Sequence, residues 1–591
     1  MRGIRQIATQ FTKSSLLAVA LSSTLVAAFS GIAQAATLQD DVSSMLGTMK
    51  TVYSAYYAPA SWKKQYAGYD LNVSYANALA DASTKSSSLT IKQAKVIFKD
   101  FVYAMKDYHT SVSFVSTEAT SLPLTVRGAE GRLFLVTIDR TKLSQTAFPY
   151  NVGDELLTLD GKPVNDIVNA IQETFTANAA ATDRSTAELR LFHRTGARGF
   201  TDIPSGPVTL GIRRAGETAT SLVQLIWDYT PENVAPRGDL LSGTLGGTLG
   251  GVLGPVRNSL FAPRMDVDVD QPADPFSDQS TDQATDDPFQ LGTRVSFMPT
   301  LGTKIWESAK DSTFDAYIYM NADHKLIGYV RIPSYEPEDA TKAVAEFQAT
   351  IGRMQKTTDS LVIDQVNNPG GSVFYLYSLV SMLSDQPMAT PRHRMAIGQV
   401  DVVDAITQIE KLKQLKTEDD IAKGGEAVQA LGGGYPVTLE FVNFMRSYAQ
   451  FIVNEWSAGR KLTNPYWIGG VDHINPSSVS YTKPVLLLIN ELDYSGGDFF
   501  PTIMQDNKRV TILGIRTAGA GGYVNDVSVP NNVGVASFRV TQSIAERATG
   551  NPIENLGVSP DINYAMTAAD FQNRFAPYVQ AVQAAVKKIT P

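Results

Sequence analysis

The chain contains no cysteine. That absence excludes disulfides, thiolate zinc sites and a cysteine nucleophile together. Histidine is scarce, with five copies in 591 residues: His109, His193, His324, His393 and His473. No H-E-x-x-H pair occurs, so a zinc protease is unsupported, and no phosphate loop is present. No metal or cofactor is therefore expected. Beyond the N-terminus, no segment is apolar for long enough to span a membrane. Charged residues make up 19% and hydrophobic residues 43%, which is ordinary for a globular protein and excludes disorder throughout.

The N-terminus has the pattern of a cleavable export signal over residues 1–35. Arg2, Arg5 and Lys13 precede the apolar stretch Leu16–Phe29, and Ala33-Gln34-Ala35 fits a signal-peptidase site. Ser22, Ser23, Thr24 and Ser30 interrupt the stretch, which favours cleavage over a retained anchor, so no stable membrane span is expected in the mature protein. Cleavage removes three positive charges and no negative ones, taking the formal charge from −8 to −11. So acidic a protein is a poor partner for nucleic acid. Export implies a periplasmic or secreted location.

Residues 36–121 read as a helical region. Val42, Met45, Met49, Val52, Tyr53 and Tyr56 recur at helical spacing, as do the apolar residues of Ile91–Met105, and Val112–Val115 then alternates like a strand. Residues 122–229 change character: Val152–Val164 is strand, Asp-Gly turn and strand, Val164–Phe175 suits a helix, and Val208–Arg213 with Thr220–Trp227 form a second hairpin. The run G-D-E-L-L-T-L-D-G-K-P-V gives this part a resemblance to a PDZ domain, with residues around Thr176–Arg198 as an insert. Residues 230–302 repeat Gly, Leu and Thr and then turn acidic, a composition expected to give an exposed, flexible linker. Asp266, Asp268 and Asp270 alternate as in a calcium loop, but its glycine and distal glutamate are missing.

From residue 303 strands and helices alternate, which implies a largely parallel α/β core. Its first part, 303–390, includes the expected strand Ile327–Ile332, helix Pro337–Met354 and strand Ser360–Val366. A helical insertion occupies 391–477, with Asp401–Leu415 and Leu439–Trp456 as helices. The core resumes over 478–591 with Val485–Ile489, Val510–Leu513, Val535–Thr541 and a closing helix Ala568–Ile589.

One stretch of this core carries chemistry. Val485–Ile489 reads as a buried strand, and Phe499–Met504 can continue as a helix. Ser495 lies between them, followed by Gly496 and Gly497. A serine at such a turn stands at the end of a sheet, small neighbours admit a substrate carbonyl, and the free N–H groups of the helix start can stabilise an oxyanion. Ser495 is therefore the expected nucleophile. It needs a base, and His109, at a helix-to-strand junction among small and polar residues, is where a base would face a cleft. Asp493 stands two residues before Ser495, so the G-x-S-x-G elbow is absent.

Three motifs together resemble the tail-specific (C-terminal-processing) and tricorn peptidase family: D-Y-H at Asp107–His109, I-D-Q-V-N-N-P-G-G at Ile363–Gly371, and L-I-N-E-L-D-Y-S-G-G-D-F-F-P at Leu488–Pro501. The resemblance implies a multidomain α/β serine protease with a mixed, largely parallel ClpP/crotonase-like core, a PDZ-like domain and a helical N-terminal region. It places the nucleophile on Ser495 and the base on His109, with oxyanion donors from Gly496 and from Gly370-Gly371. The tail-specific branch uses a lysine base downstream of the serine, but no lysine lies between Lys508 and Lys587. The branch with a Ser-His-Glu triad remains, and Asn551–Asn555 is similar to its glutamate segment, which puts the third member on Glu554. Asp498 and Asp561 stay open as alternatives for positioning the histidine. The resemblance further implies polypeptide substrates, endopeptidase activity, self-processing within residues 231–302 with a less active intact form, and a homodimer. The competing expectations are a non-catalytic ligand-binding protein on the same fold, or a PDZ-led scaffold capturing peptide C-termini.

Overall fold

A computed structural model describes residues 37–85, 88–175, 178–234, 260–266 and 287–591. The export signal expected over 1–35 lies outside the described residues, as do most of the Gly-rich and acidic stretches of the expected linker. Among the described residues no helix is long and apolar enough to cross a membrane.

The N-terminal region forms four helices, Leu38–Tyr56, Ala60–Ala67, Leu71–Thr84 and Ile91–Tyr103. The first and last begin with capping boxes, Thr37 with Asp40 and Thr90 with Gln93, which satisfy N–H groups that have no intrahelical partner. Val42, Met45, Leu46, Met49 and Tyr53 bury one face. That face packs on Ala78 and Ala82 of the third helix and on Phe98 and Phe101 of the fourth, and also on Val535, Phe538 and Val540, near the far end of the chain. The strand Val112–Phe114 pairs antiparallel with Val535–Thr541, Val112 opposite Phe538. This pairing joins the N-terminal region to the core.

The PDZ-like part is a sheet ordered Leu124–Ala129, Arg132–Ile138, Glu155–Leu159, Pro207–Arg213, Thr220–Ile226, with the helix Val164–Phe175 against it. Asp160 and Gly161 adopt φ of 49° and 76°, as the expected tight turn requires. The insert is the helix Ala180–Leu189, which packs beside Leu124–Ala129.

The core sheet has seven strands, in the order Thr303–Glu307, Ala316–Met320, Leu326–Arg331, Ser360–Asp364, Val485–Ile489, Thr511–Gly514, Ile562–Asn563. The first three are antiparallel to one another and the remainder run parallel. Every residue of Ser360–Asp364 and Val485–Ile489 is buried, because helices cover both faces. Ala340–Thr357, Val373–Ser381 and Gly496–Asp506 pack on one side and Ala576–Ile589 on the other.

Three sequence expectations differ in detail. The closing helix is two, Ala568–Gln572 and Ala576–Ile589, since Arg574 and Phe575 take φ of 51° and 61° and a proline opens the second. The helical insertion has a β stem, Arg392–Met395, paired with Tyr466–Trp467 and with Ser543–Glu546 of the core. Parts of the expected linker are ordered. Leu260, Phe261 and Met265 are buried in the core cluster, and Phe289, Met298 and Leu301 are buried on the opposite face of the sheet. Composition averaged over the stretch hid these few apolar side chains, each of which packs into a core cluster.

Candidate active site

The strand Val485–Ile489 delivers the chain to a tight turn, Asn490–Tyr494, that Asp493 organises. Its carboxylate accepts from the Asn368 N–H (3.0 Å), the Asn490 N–H (3.0 Å) and Gln365 Nε2 (3.1 Å). Burial pushes this carboxyl well above the usual range despite those donors. Ser495 follows as N-cap of the helix Gly496–Asp506, with φ 57° and ψ −108°. A non-glycine residue held there is strained and must be fixed by its surroundings. Asp498 does so: it accepts from the Ser495 N–H (2.8 Å), the Gly519 N–H (2.9 Å) and the Ala520 N–H (2.9 Å), tying the nucleophile turn to the glycine-rich loop Ala518–Gly522. Burial raises its carboxyl to about 6.

His109 arrives from the other end of the sequence. After the helix Ile91–Tyr103, Asp107 forms a local turn by accepting from the His109 N–H at 2.8 Å. Its other carboxylate oxygen accepts from the Tyr57 hydroxyl (3.0 Å) and the Thr541 hydroxyl (2.9 Å), which anchors the turn to the core. The His109 Nε2 then lies 2.7 Å from Ser495 Oγ, across 386 positions of sequence, with both side chains buried. Burial lowers the imidazole to about 4, so it is neutral at physiological pH and able to accept a proton; Asp107 opposes that shift, while Arg539 and Lys63 add to it.

Glu554 is also buried, close to the imidazole. One of its oxygens accepts from the Gly521 N–H at 2.7 Å and the other is ion-paired with Lys63. Glu554 makes no direct hydrogen bond to the imidazole: His109 Nδ1 has no hydrogen-bond partner, and a carboxylate oxygen from each of Asp107 and Glu554 lies within 4.8 Å of a His109 ring nitrogen. Burial and the nearby Asp107 raise the Glu554 carboxyl, and Lys63 and the Gly521 N–H draw it back down. The three side chains have the separations of a metal-binding group, but the Lys63 ammonium already occupies the cationic position on Glu554 and would oppose a dication.

Gly370 and Gly371 take φ of 101° and 143°, a region that suits glycine. A Cβ on Gly370 would lie 2.8 Å from the Gly496 nitrogen and 3.0 Å from Ser495 Cβ, so Gly370 and Gly496 stand beside the serine, whereas a Cβ on Gly371 would meet the Tyr335 backbone. The Gly370 N–H is engaged by Asn368 Oδ1 at 2.9 Å. Lying along this strand is a segment the sequence reading had assigned to solvent. Arg264–Asp266 pairs antiparallel with Gly370–Ser372, Met265 opposite Gly371, and a Cβ on Gly370 would strike the Met265 carbonyl. The segment therefore occupies the pairing edge of Gly370–Ser372, beside Ser495.

The remaining sequence candidates fall elsewhere. Asp561 accepts from the Ile512 N–H (2.8 Å) at the end of the sheet, and Asp498 serves the serine turn, so neither is bonded to His109. His193 and His324 are exposed, His473 is half-buried beside Asp472, and His393 is buried against the Phe499 ring with its imidazole lowered to about 3. Sequence reasoning missed two residues. Asp107 had a signal, an aspartate two residues before His109, whereas Lys63 sits in an unremarkable Lys-Lys pair with none.

Comparison with known proteins identifies the family of the chain. Residues 118–234 match the PDZ domain and residues 326–564 match peptidase family S41. The chain is 35% identical over 562 residues to an uncharacterized protein of Chlamydia muridarum, covering 90% of each. Its fold superposes on the crystal structure of mature CPAF with a TM-score of 0.78 at 32% identity, covering 93% of this chain and 98% of that one. A shorter match, 29% over 80 residues, is to a carboxy-terminal-processing protease of Bartonella bacilliformis, covering 14% of this chain and 18% of that protein. The chain belongs to peptidase family S41 and is a serine protease.

Proposed function

We propose that this serine protease is an exported endopeptidase that cleaves polypeptides through Ser495, His109 and Glu554, and that the intact chain is held back by its own residues 260–266. The observation that carries the first part is the 2.7 Å approach of His109 Nε2 to Ser495 Oγ. Ser495 Oγ attacks the peptide carbonyl as its proton passes to Nε2. The tetrahedral oxyanion is met by the Gly496 N–H and the Gly370-Gly371 turn. The proton on Nε2 then goes to the leaving amine, and water releases the acyl group by the same steps in reverse. Glu554 and Asp107 place negative charge beside the imidazole, which favours the imidazolium formed in each half-reaction.

Support for the restraint is the strand Arg264–Asp266, seated on Gly370–Ser372 where a substrate backbone would pair. Self-processing within residues 231–302 would release it, and the resemblance to the family adds a homodimer of the processed form. The scaffold reading is weaker, since the Gly128 N–H on the edge strand Leu124–Ala129 is already bonded to Glu188 of the inserted helix (2.8 Å). A fluorophosphonate that labels Ser495 in wild type and not in Ser495→Ala, together with casein cleavage lost in that variant, is the expected result. Undiminished cleavage by Ser495→Ala would overturn the proposal.

A further inference from the structure

Lysine is rarely buried without partners, yet Lys63 has no solvent exposure. It projects from the short helix Ala60–Ala67, and all three of its N–H donors are used. One goes to the Lys106 carbonyl (2.7 Å), one to Asn555 Oδ1 (2.8 Å) and one to Glu554. Lys106 stands three residues before His109, and Asn555 is the residue after Glu554. The ammonium thus lies where the loop carrying the base meets the loop carrying the acid. Trp62 reinforces the junction through Nε1 to Asn555 Oδ1 (3.0 Å), and Asn555 Nδ2 returns to the Lys106 carbonyl (2.9 Å).

The local charge balance gives this contact a consequence. Asp107 and Glu554 place two carboxylates beside one imidazole, all out of water. Two buried like charges do not both stay ionised without a cation. The charged and titratable groups facing the imidazole and Glu554 are Asp107, Lys63, Arg539 and the Tyr57 hydroxyl. Arg539 pairs with Asp526 at 2.8 and 3.1 Å, and Tyr57 bonds Asp107. Among these, Lys63 is the cation in contact with Glu554.

We infer that Lys63 is a positioning residue of this active site, acting through Glu554: its ammonium fixes the carboxylate behind His109 and compensates its charge. The inference rests on the reading of Ser495, His109 and Glu554 as the catalytic group. Without the ammonium, Glu554 takes up a proton more readily. His109, which Lys63 also disfavours as a cation, does so too. Both changes move the acid limb of the rate profile towards higher pH.

The test compares full-length wild type, Lys63→Met, Lys63→Arg, Glu554→Gln and Lys63→Met/Glu554→Gln. All are matched for processing by a trace of tagged wild-type enzyme, which is captured and removed before kcat and KM are measured on labelled casein across pH. Lys63→Met is expected to lower kcat about 10²-fold with KM little changed and the acid limb displaced to higher pH, and Lys63→Arg to restore most of both. A Lys63→Met enzyme with the wild-type limb and only a lowered melting temperature would reduce Lys63 to a structural tie and overturn the inference. Should that single variant fail to fold, the double variant, which removes both buried charges, decides: a rate equal to that of Glu554→Gln alone supports the coupling, and a further multiplicative loss refutes it. Ser495→Ala in the same series separates the readings, because activity surviving there would sink the triad itself.

Discussion

Truncating Phe261 should release the enzyme from its own segment. Phe261 is 5% exposed, lies in the main core cluster and meets the Tyr448 ring edge-on at 5.4 Å. Removing a buried phenylalanine side chain costs roughly 3–5 kcal/mol. In Phe261→Ala that cost falls on the seated arrangement of residues 260–266, since an unseated segment has no such contact to lose. At about 1.36 kcal/mol per decade, the seating equilibrium weakens by a factor of about 10²–10⁴. If an incoming ligand must wait for the segment to leave Gly370–Ser372, the accessible fraction of Ser495 rises until the unseated form dominates. The assay is the rate of fluorophosphonate labelling, read from the full-length band so that cleaved material does not contribute. Labelling at least tenfold faster than wild type is expected, with a core melting transition that changes little. Equal labelling rates in two intact, folded proteins would show that the segment does not restrain the site.

The other expectations follow from the same geometry. Ser495→Ala should lower turnover by roughly four to six orders of magnitude, and its full-length band should persist on a gel after incubation that shortens the wild-type chain. Gly371→Ala places a methyl against the Tyr335 backbone at a φ of 143°, so it should displace the oxyanion turn and cost at least about 10² in kcat, measured on casein beside a melting curve. His109 and His393 are depressed by burial to about 4 and about 3. The unfolded chain therefore binds protons on both before the folded one does. Stability is full above about pH 6.5 and falls as pH drops towards those values, by a few kcal/mol for each histidine. His393→Gln should shift acid unfolding, followed by tryptophan fluorescence, to lower pH; an unchanged midpoint would mean that His393 is not the proton acceptor.

Much of this was legible in the sequence. Continuous apolar runs such as Val485–Ile489 announce strands buried on both faces, and Ser495-Gly496-Gly497 after such a run marks a nucleophile turn, because these are local signals. The histidine pairing was harder. Among five histidines the helix-to-strand junction at His109 was a weak local signal, and the D-Y-H motif, read through family resemblance, singled it out. Linker composition misled where a few apolar residues were diluted by polar neighbours: Leu260, Phe261 and Met265 are buried, although the surrounding stretch reads as solvent-loving.

The amino-acid order by itself determined the alternation of strands and helices, the hairpins of the PDZ-like domain and the place of Ser495 between a buried strand and a helix, since each is written in local spacing and turn residues. Tertiary structure alone decided three things. The pairing of Val112–Phe114 with Val535–Thr541 carries His109 to the serine, Arg264–Asp266 is seated on Gly370–Ser372, and Lys63 is buried against Glu554. Each joins side chains distant in sequence, and their energies come from excluding water and matching charge in three dimensions, quantities that have no counterpart in local spacing.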